Sequence, residues 1–253
     1  MGRRTVPLSD EDRWVFNRLA PHYGARPPYP SALAERLAGI AGGPGARVAD
    51  LGAGTGDLAV PLALRGLAVT AVEPARAMLD LLVGREAGPT APRGVHAAAE
   101  ATGLAGEAFE LVLLADAVQW VDPERAGAEA ARLLAPRGAC AVVEATFAAT
   151  PFMAGLAALL AGANPRARPR PAGAARQVLA LAAPGAAVVE ERFLQDAPVD
   201  DAALAPLLRS LSFAGPALAP GALVALEGEA RALARACGGA RFRRDLALRW
   251  VRR

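Results

Sequence analysis

The sequence predicts an α/β fold built on a doubly wound, mostly parallel sheet, and three observations carry that prediction. Short apolar runs alternate with helical patterns across residues 46–145, as parallel strands joined by crossover helices require. The first strand-to-helix turn holds the run Val48-Ala49-Asp50-Leu51-Gly52-Ala53-Gly54-Thr55-Gly56-Asp57, with glycines on alternate positions and an acid on either side. A further acid, Glu73, closes the next apolar run about 20 residues on. Glycine has no Cβ, so such a loop turns tightly and lets a ligand approach the backbone. Dinucleotide loops are written G-x-G-x-x-G and seat a pyrophosphate at a helix N-terminus. Here the spacing is G-x-G-x-G, and the flanking carboxylates repel phosphate while suiting an ammonium or a sulfonium.

The elements follow in order. Ser9, with Asp12 three residues on, reads as a capping box opening a helix to about Leu19, and Ser31 opens a second that ends near Gly42-Gly43. Strand one is 47–51 and a helix follows Gly56. Strand two, 67–72, ends at Glu73, and Pro74 starts a helix that turns Met78, Leu81 and Leu82 inward. Strand three contains His96, which reads as a structural histidine. Asp122 and Pro123 are an N-cap and first-turn proline for a helix to Leu134, and Pro136-Arg137-Gly138 turns the chain into strand five, 139–143, with Glu144 at its edge. The uncharged stretch 145–165 is broken by Pro151 and Gly155 and repeats Phe152, Leu156, Leu159 and Leu160 at helical spacing, so it reads as a core helix and not a membrane span. The proline-arginine segment 164–171 reads as irregular structure, either a plain loop or a lid whose arginines would suit an acidic substrate. Segments 186–195 and 241–251 read as an antiparallel last pair, the second alternating Phe242, Leu246, Leu248 and Trp250 with charge, with helices 201–211 and 220–237 between them. Ligands of open α/β sheets sit outside the carboxyl ends of the strands, so Asp50, Glu73, Asp116 and Glu144 are expected to border one crevice.

Composition narrows the function classes. The 253 residues fit one large domain, and the 28 cations are all arginine, which with abundant alanine, glycine and proline points to a GC-rich coding bias. Arginines and acids are interspersed at a net charge of +3, without the basic stripe of a nucleic-acid binder. Two cysteines without C-x-x-C spacing, Cys140 and Cys237, indicate neither a metal site nor redox chemistry. Charged residues follow the N-terminus where a signal peptide would be apolar, so the expected location is the cytoplasm, with no membrane partner.

The glycine loop with Asp50, the acid Glu73, the segment Ala98-Ala99-Glu100-Ala101-Thr102-Gly103-Leu104 and the run Phe109-Glu110-Leu111-Val112-Leu113-Leu114-Ala115-Asp116-Ala117-Val118-Gln119-Trp120 stand in order. Together they resemble the class I S-adenosylmethionine-dependent methyltransferases of small-molecule type over roughly residues 46–145. The resemblance implies a Rossmann-like seven-stranded sheet with an antiparallel last strand and helical lid elements. Residues 1–45 would form an N-terminal helical cover, 46–145 the cofactor-binding core, and 146–253 the substrate-side helices and last two strands. It implies S-adenosyl-L-methionine as cofactor, no metal, and a small-molecule substrate in bacterial secondary metabolism. Cofactor contacts would come from Asp50, Gly52, Ala53, Gly54, Gly56, Glu73, Pro74, Ala99, Glu100, Ala115 and Trp120, with Glu73 on the ribose hydroxyls. Ala98 stands where the family often has an acid for the adenine amine, which leaves backbone from Ala99. The segment from Ala20 to Pro30 resembles the family's Tyr, Arg-Pro and Tyr-Pro pattern ahead of the sheet, and makes Tyr23 and Arg26 candidates for the methionine end.

Transfer from a sulfonium is an in-line displacement that needs a base only when the acceptor must lose a proton. His22, Asp116, Gln119 and Glu144 are the candidate catalytic residues. Gln119-Trp120 occupies a place where relatives often have His-Trp, and resembles the trans-aconitate and malonyl-carrier-protein carboxyl methyltransferases. The expected reaction is therefore methyl transfer to oxygen, on a carboxylate or hydroxyl. Two alternatives stand beside it: a protein that holds the cofactor without transferring methyl, in sensing or in assisting a cyclisation, and a nicotinamide-dependent oxidoreductase.

Overall fold

The computed structural model describes residues 10–85, 90–165 and 173–253, with side chains from Val15 onward. Seven strands form one sheet in the order β3-β2-β1-β4-β5-β7-β6. They are β1 (Arg47–Leu51), β2 (Ala68–Val72), β3 (Arg93–Val95), β4 (Phe109–Ala115), β5 (Leu134–Phe147), β6 (Val189–Val199) and β7 (Ala240–Arg252). Every neighbouring pair from β3 to β5 is parallel, and β7 runs antiparallel to both β5 and β6. Strand order reverses between β1 and β4, the switch point at which open α/β sheets open a crevice at their carboxyl edge.

Both faces of the sheet are covered, which is why β4 reads as a continuous apolar run. Its Leu111 and Leu113 face α2 (Ser31–Ala41) and α3 (Ala59–Ala63), joining Leu37, Leu62, Val48 and Leu248. Its Val112 and Leu114 face α5 (Pro123–Leu133) and α7 (Ala174–Ala182), joining Leu133, Val178 and Leu179. A Cβ on Gly127 would stand 2.8 Å from Leu181 Cβ, so a side chain there would force α5 and α7 apart. At the carboxyl edge, α6 (Pro151–Ala163), α8 (Asp201–Arg209) and α9 (Pro220–Ala236) build a separate apolar cluster around Phe152, Leu156, Leu207 and Phe242. The first helix, α1 (Asp10–Tyr23), packs Leu19 and Ala20 against Met78 of α4 (Arg76–Val83), and the Asn17 side chain accepts a hydrogen bond of 2.9 Å from Ala77 N at the start of α4.

Local chemistry sets several of these limits. Asp122 caps α5 by accepting from Glu124 N and Arg125 N, with Pro123 in the first turn. Thr150 and Asp200 cap α6 and α8 in the same way. Other limits depart from the sequence reading. The helix expected from Pro74 starts at Arg76, and Leu81 faces outward while Leu79 takes the buried place. The turn expected at Pro136-Arg137-Gly138 lies within β5, which begins at Leu134; Arg137 takes a positive φ there and the register with β4 shifts. In the last pair β6 begins three residues later than expected, at Val189, and β7 one residue earlier, at Ala240, and each runs past its expected end. Helix α7 was not expected, although Ala174, Ala175, Val178, Leu179 and Ala182 recur at helical spacing on its buried face. Ser9 of the capping box, and residues 166–171 of the proline-arginine segment, lie outside the described residues. Among the described residues no helix is long and apolar enough to cross a membrane.

The loop after β3 is tied down by a buried acid. Glu129 of α5 accepts from Thr102 N (2.9 Å) and Thr102 Oγ1 (2.5 Å) and pairs with Arg132 at 2.7 Å. The Arg132 guanidinium, followed by the Thr102 bonds, holds its carboxyl down at about 2. A group lowered from 4.5 to about 2 gives stability that is complete above the unfolded value and fades as pH falls through the folded one. Glu129→Ala should cost about 1.5–3 kcal/mol at pH 7. Urea melts of the two proteins should converge as pH drops from about 4.5 toward 2.

Candidate active site

The loop after β1 hangs from the end of β2: Gly52 N and Ala53 N both donate to Val72 O, at 2.8 and 3.1 Å. Gly52, Gly54 and Gly56 have φ of 75°, 57° and 86°, the left-handed region that other residues occupy only at a cost. They do different work. A Cβ on Gly52 would lie 2.8 Å from Ala117 Cβ and one on Gly56 3.1 Å from Leu82, so both are packing positions. At Gly54 the nearest atoms are on the Tyr23 ring, 3.7 Å away, which leaves that backbone facing a cleft.

Four carboxylates gather around this loop. Glu73, 5 % exposed, accepts from Gly54 N on one oxygen and from Ala75 N on the other, each at 2.8 Å, so it clamps the loop to the entry of α4. Burial pushes its carboxyl up, and the two backbone bonds pull it back. Each oxygen keeps a lone pair for a further donor. Asp50 is 2 % exposed, and its Oδ1 has no hydrogen-bond partner among the described residues. Burial above all, with the Glu73 and Asp57 charges adding to it, pushes its carboxyl up from 3.8 to about 7. Asp57 accepts from Thr55 Oγ1 and pairs with Arg85 at 2.8 Å.

The fourth acid, Asp116, follows β4 with a φ of 49°, uncommon for a non-glycine residue, which turns its side chain across the sheet edge. Its Oδ2 accepts from Tyr29 Oη (3.2 Å) and pairs with Arg244 of β7 (2.7 Å), and its Oδ1 accepts from Ala145 N. Arg244 Nε donates to Gln195 of β6 at 2.6 Å, and Gln195 Nε2 donates to the Pro27 and Pro28 carbonyls at 2.7 Å. Burial opposes the Arg244 charge, but Asp116 and the nearby tyrosines raise its pKa. The cover segment from Tyr23 to Tyr29 is thus tied across the cleft to the last two strands.

Tyr23 and Arg26 stand on the cleft wall opposite the loop. The Arg26 guanidinium lies 4.1 Å over the Tyr23 ring, donates to its hydroxyl, and holds Ser210 Oγ and Ser210 O at 3.2 and 2.5 Å. The cleft measures about 460 Å³ counting its open mouth, and its walls stand close enough that the centre of a water-sized sphere reaches only about 30 Å³ of it.

The expected site residues separate into groups. Asp50, Gly52, Ala53, Gly54, Ala115, Asp116, Tyr23 and Arg26 line one cleft, and Glu73 reaches it through Gly54. Ala99 is buried in the core and the Glu100 carboxylate accepts from Asp122 N. Pro74 offers its carbonyl to His96, which stands exposed just past β3 and not within it. Trp120 packs edge-on against Phe16 at 5.0 Å. Gln119 Nε2 donates to Asp116 O, and its Oε1 is buried without a partner. Two expectations need correcting. Glu144 does not border the crevice: β5 runs on to Phe147, and Glu144 shares the face of Val142, where it pairs with Arg249. His22 lies in the last turn of α1 and is not among the cleft-lining residues, so it stands in no loop over the cleft.

Sequence reasoning missed Arg244, Gln195 and Tyr29 as site residues. One signal was present, since Arg244 keeps the phase of Phe242, Leu246 and Leu248, an arginine where the strand turns inward.

The donor set has a clear preference. Acids with room for further donors, and an unpartnered oxygen on buried Asp50, suit a ligand bringing an ammonium and hydroxyls, whereas a pyrophosphate would meet like charge. S-adenosylmethionine fits that description.

Comparison with known proteins agrees. Residues 49–142 match a family described as a methyltransferase domain. Uncharacterised methyltransferases of Mycobacterium bovis and Mycobacterium tuberculosis are 43 % identical over 118 residues, 47 % of this chain and 46 % of theirs. The chain thus spans about half the length of the curated relatives it matches. A proposed type II methyltransferase from Anaeromyxobacter dehalogenans shares the fold at a TM-score of 0.65 and 24 % identity, over 90 % of this chain and 97 % of that one. The 4+2 cyclase SpnF shares it at 0.62 and 15 % identity, over 100 % and 99 %. The sheet and its glycine loop define a Rossmann-like methyltransferase fold. In that fold and over its matched core, residues 49–142, the chain is similar to class I S-adenosylmethionine-dependent methyltransferases.

The Asp50 carboxyl gives the site a pH signature. Between 3.8 and about 7 the folded protein holds a proton that the unfolded chain has lost, so this group lowers stability as pH rises through that window. Asp50→Asn should remove the slope. Its melting temperature relative to wild type should rise from pH 4 to pH 8, by up to about 4 kcal/mol in stability, as calorimetry at matched ionic strength would measure.

Proposed function

We propose that the chain binds S-adenosylmethionine and transfers its methyl group to oxygen of a small-molecule acceptor, a carboxylate or hydroxyl, in bacterial secondary metabolism. The observation that carries the cofactor half is Asp50, a buried carboxylate with an unpartnered oxygen beside a backbone that only glycine leaves open. The cofactor supplies a methyl group on a positively charged sulfur. Asp50 would accept from its ammonium, Glu73 would accept from the ribose hydroxyls on the lone pairs left by Gly54 N and Ala75 N, and Tyr23 would cover it at the Gly54 backbone. By closing, the cover excludes water and fixes the approach of the acceptor, so that positioning supplies most of the rate.

The oxygen acceptor draws support from the histidines. The chain has two, and neither lines the cleft, while Asp116 is paired with Arg244. A carboxylate acceptor needs no base and suits such a site. A second reading, in which the cofactor is held without transfer, draws on the fold shared with the cyclase.

Incubation with methyl-labelled S-adenosylmethionine and a panel of small acids, phenols and amines separates the two. Label recovered in a base-labile ester is the expected result; bound cofactor with no labelled product would favour the second reading. Gly54→Val should weaken S-adenosylhomocysteine binding at least a hundredfold by titration calorimetry, because a branched Cβ fills the cleft and strains a φ of 57°. Binding of NAD in place of S-adenosylhomocysteine would overturn the assignment.

A further inference from the structure

We propose that Arg244, with the Tyr29 ring beside it, is the acceptor-binding end of the cleft and selects a small molecule that carries a carboxylate. The inference rests on the methyltransferase reading and adds to it the residue that chooses the acceptor.

Topology places Arg244 at the right end. Along the sheet edge Glu73 follows β2, the glycine loop follows β1, Asp116 follows β4, and Arg244 stands on β7 opposite Phe147 of β5. One strand, β5, lies between β7 and β4 along that edge, and three steps of about 4.8 Å separate β7 from β1, so its backbone lies roughly 14 Å from the glycine loop. The ribose acid is one strand further still. Glu73 and Asp50 would hold the cofactor on the β2 and β1 side of the edge, which leaves Asp116 and Arg244 on the side of the cleft toward β4 and β7.

Its bonding leaves a donor for a ligand. Arg244 is 8 % exposed, with its guanidinium 5.6 Å from the Tyr29 ring and 5.4 Å from the Phe242 ring. Nε is taken by Gln195 and Nη1 by Asp116. Among the described residues these are its two side-chain donations, which leaves Nη2, and Arg244 lines the cleft. Arg26, the other arginine lining the cleft, bonds Tyr23 and Ser210 through each of its three guanidinium nitrogens. Arg244 differs from it, among the described residues, in bringing a whole terminal nitrogen to the cleft.

Charge complements geometry. Asp116 is already paired with Arg244, so the acceptor end does not present a bare acid, and the cofactor's sulfonium adds a positive charge on the other side. A carboxylate between the two meets the sulfonium on one side and the remaining Arg244 N–H donors on the other. Buried arginine also matches the planar fork of a carboxylate. When the bound carboxylate is itself the acceptor, its oxygen forms the new bond to the methyl carbon as the carbon–sulfur bond breaks. The bonding pair stays on sulfur, giving a neutral thioether and a methyl ester, and no proton moves.

Calorimetric titration of the full chain saturated with S-adenosylhomocysteine tests this with malonate, succinate, citrate and benzoate against malonamide, succinamide and benzamide. At least one acid should bind ten times more tightly than its amide. Arg244→Gln should abolish that preference while changing S-adenosylhomocysteine affinity less than threefold. Because that variant strips Asp116 of its buried cation, the double variant Asp116→Asn with Arg244→Gln, neutral throughout, should show the same loss. The wild-type comparison of acid with amide depends on neither. Acids and amides binding alike, or an acid preference that survives in both variants, would overturn the proposal alone. So would loss of S-adenosylhomocysteine binding in Arg244→Gln, which would assign Arg244 to the cofactor. Failure of wild type to bind S-adenosylhomocysteine would overturn the cofactor reading, and this proposal with it.

Discussion

The ion pair between Asp116 and Arg244 joins more of the molecule than any other contact described above. Its two side chains connect the end of β4 with β7, take in Ala145 N of β5, reach β6 through Gln195, and hold the cover through Tyr29 and two proline carbonyls. Each charge is almost out of water, and such a pair stands only when its remaining donors and acceptors are met. The surrounding bonds meet most of them. The pair therefore acts less as a source of stability than as a register mark, fixing where the antiparallel strands and the cover meet the parallel core.

The parallel core was legible because its signals are local. Strand β1 and helix α2 stand where the sequence places them, since an apolar run beside a glycine turn, and a helix stopped by Gly42 in a left-handed conformation, are decided within a few residues. The acids of the loop were legible for the same reason. Arg244 was not, because its partner lies 128 residues away and no local pattern records that meeting. Glu144 failed through parity. Strands alternate faces, so an acid one residue from Val143 and Ala145, which pack toward α2, must face α5 and α7 instead.

Two kinds of contact hold the cover, and they differ in strength. Its base is apolar, with Leu19 and Ala20 against Met78 and the Asn17 side chain on α4. Its tip is polar, bonded through Tyr29 and the proline carbonyls. Between them Tyr23 stands over Gly54 with Arg26 stacked upon it. Polar bonds exchange with water and ligand more readily than packed leucine does, so the tip and not the base is the part suited to opening.

The Asp50 carboxyl, brought to about 7 by burial, also stores a proton. A cation docking beside it draws the group into its ionised form, and the proton leaves for the solvent. Binding at neutral pH is then an exchange of one positive charge for another. The heat of that exchange includes the ionisation heat of whichever buffer takes up the proton, so enthalpies measured in phosphate and in Tris differ although the contacts formed are the same.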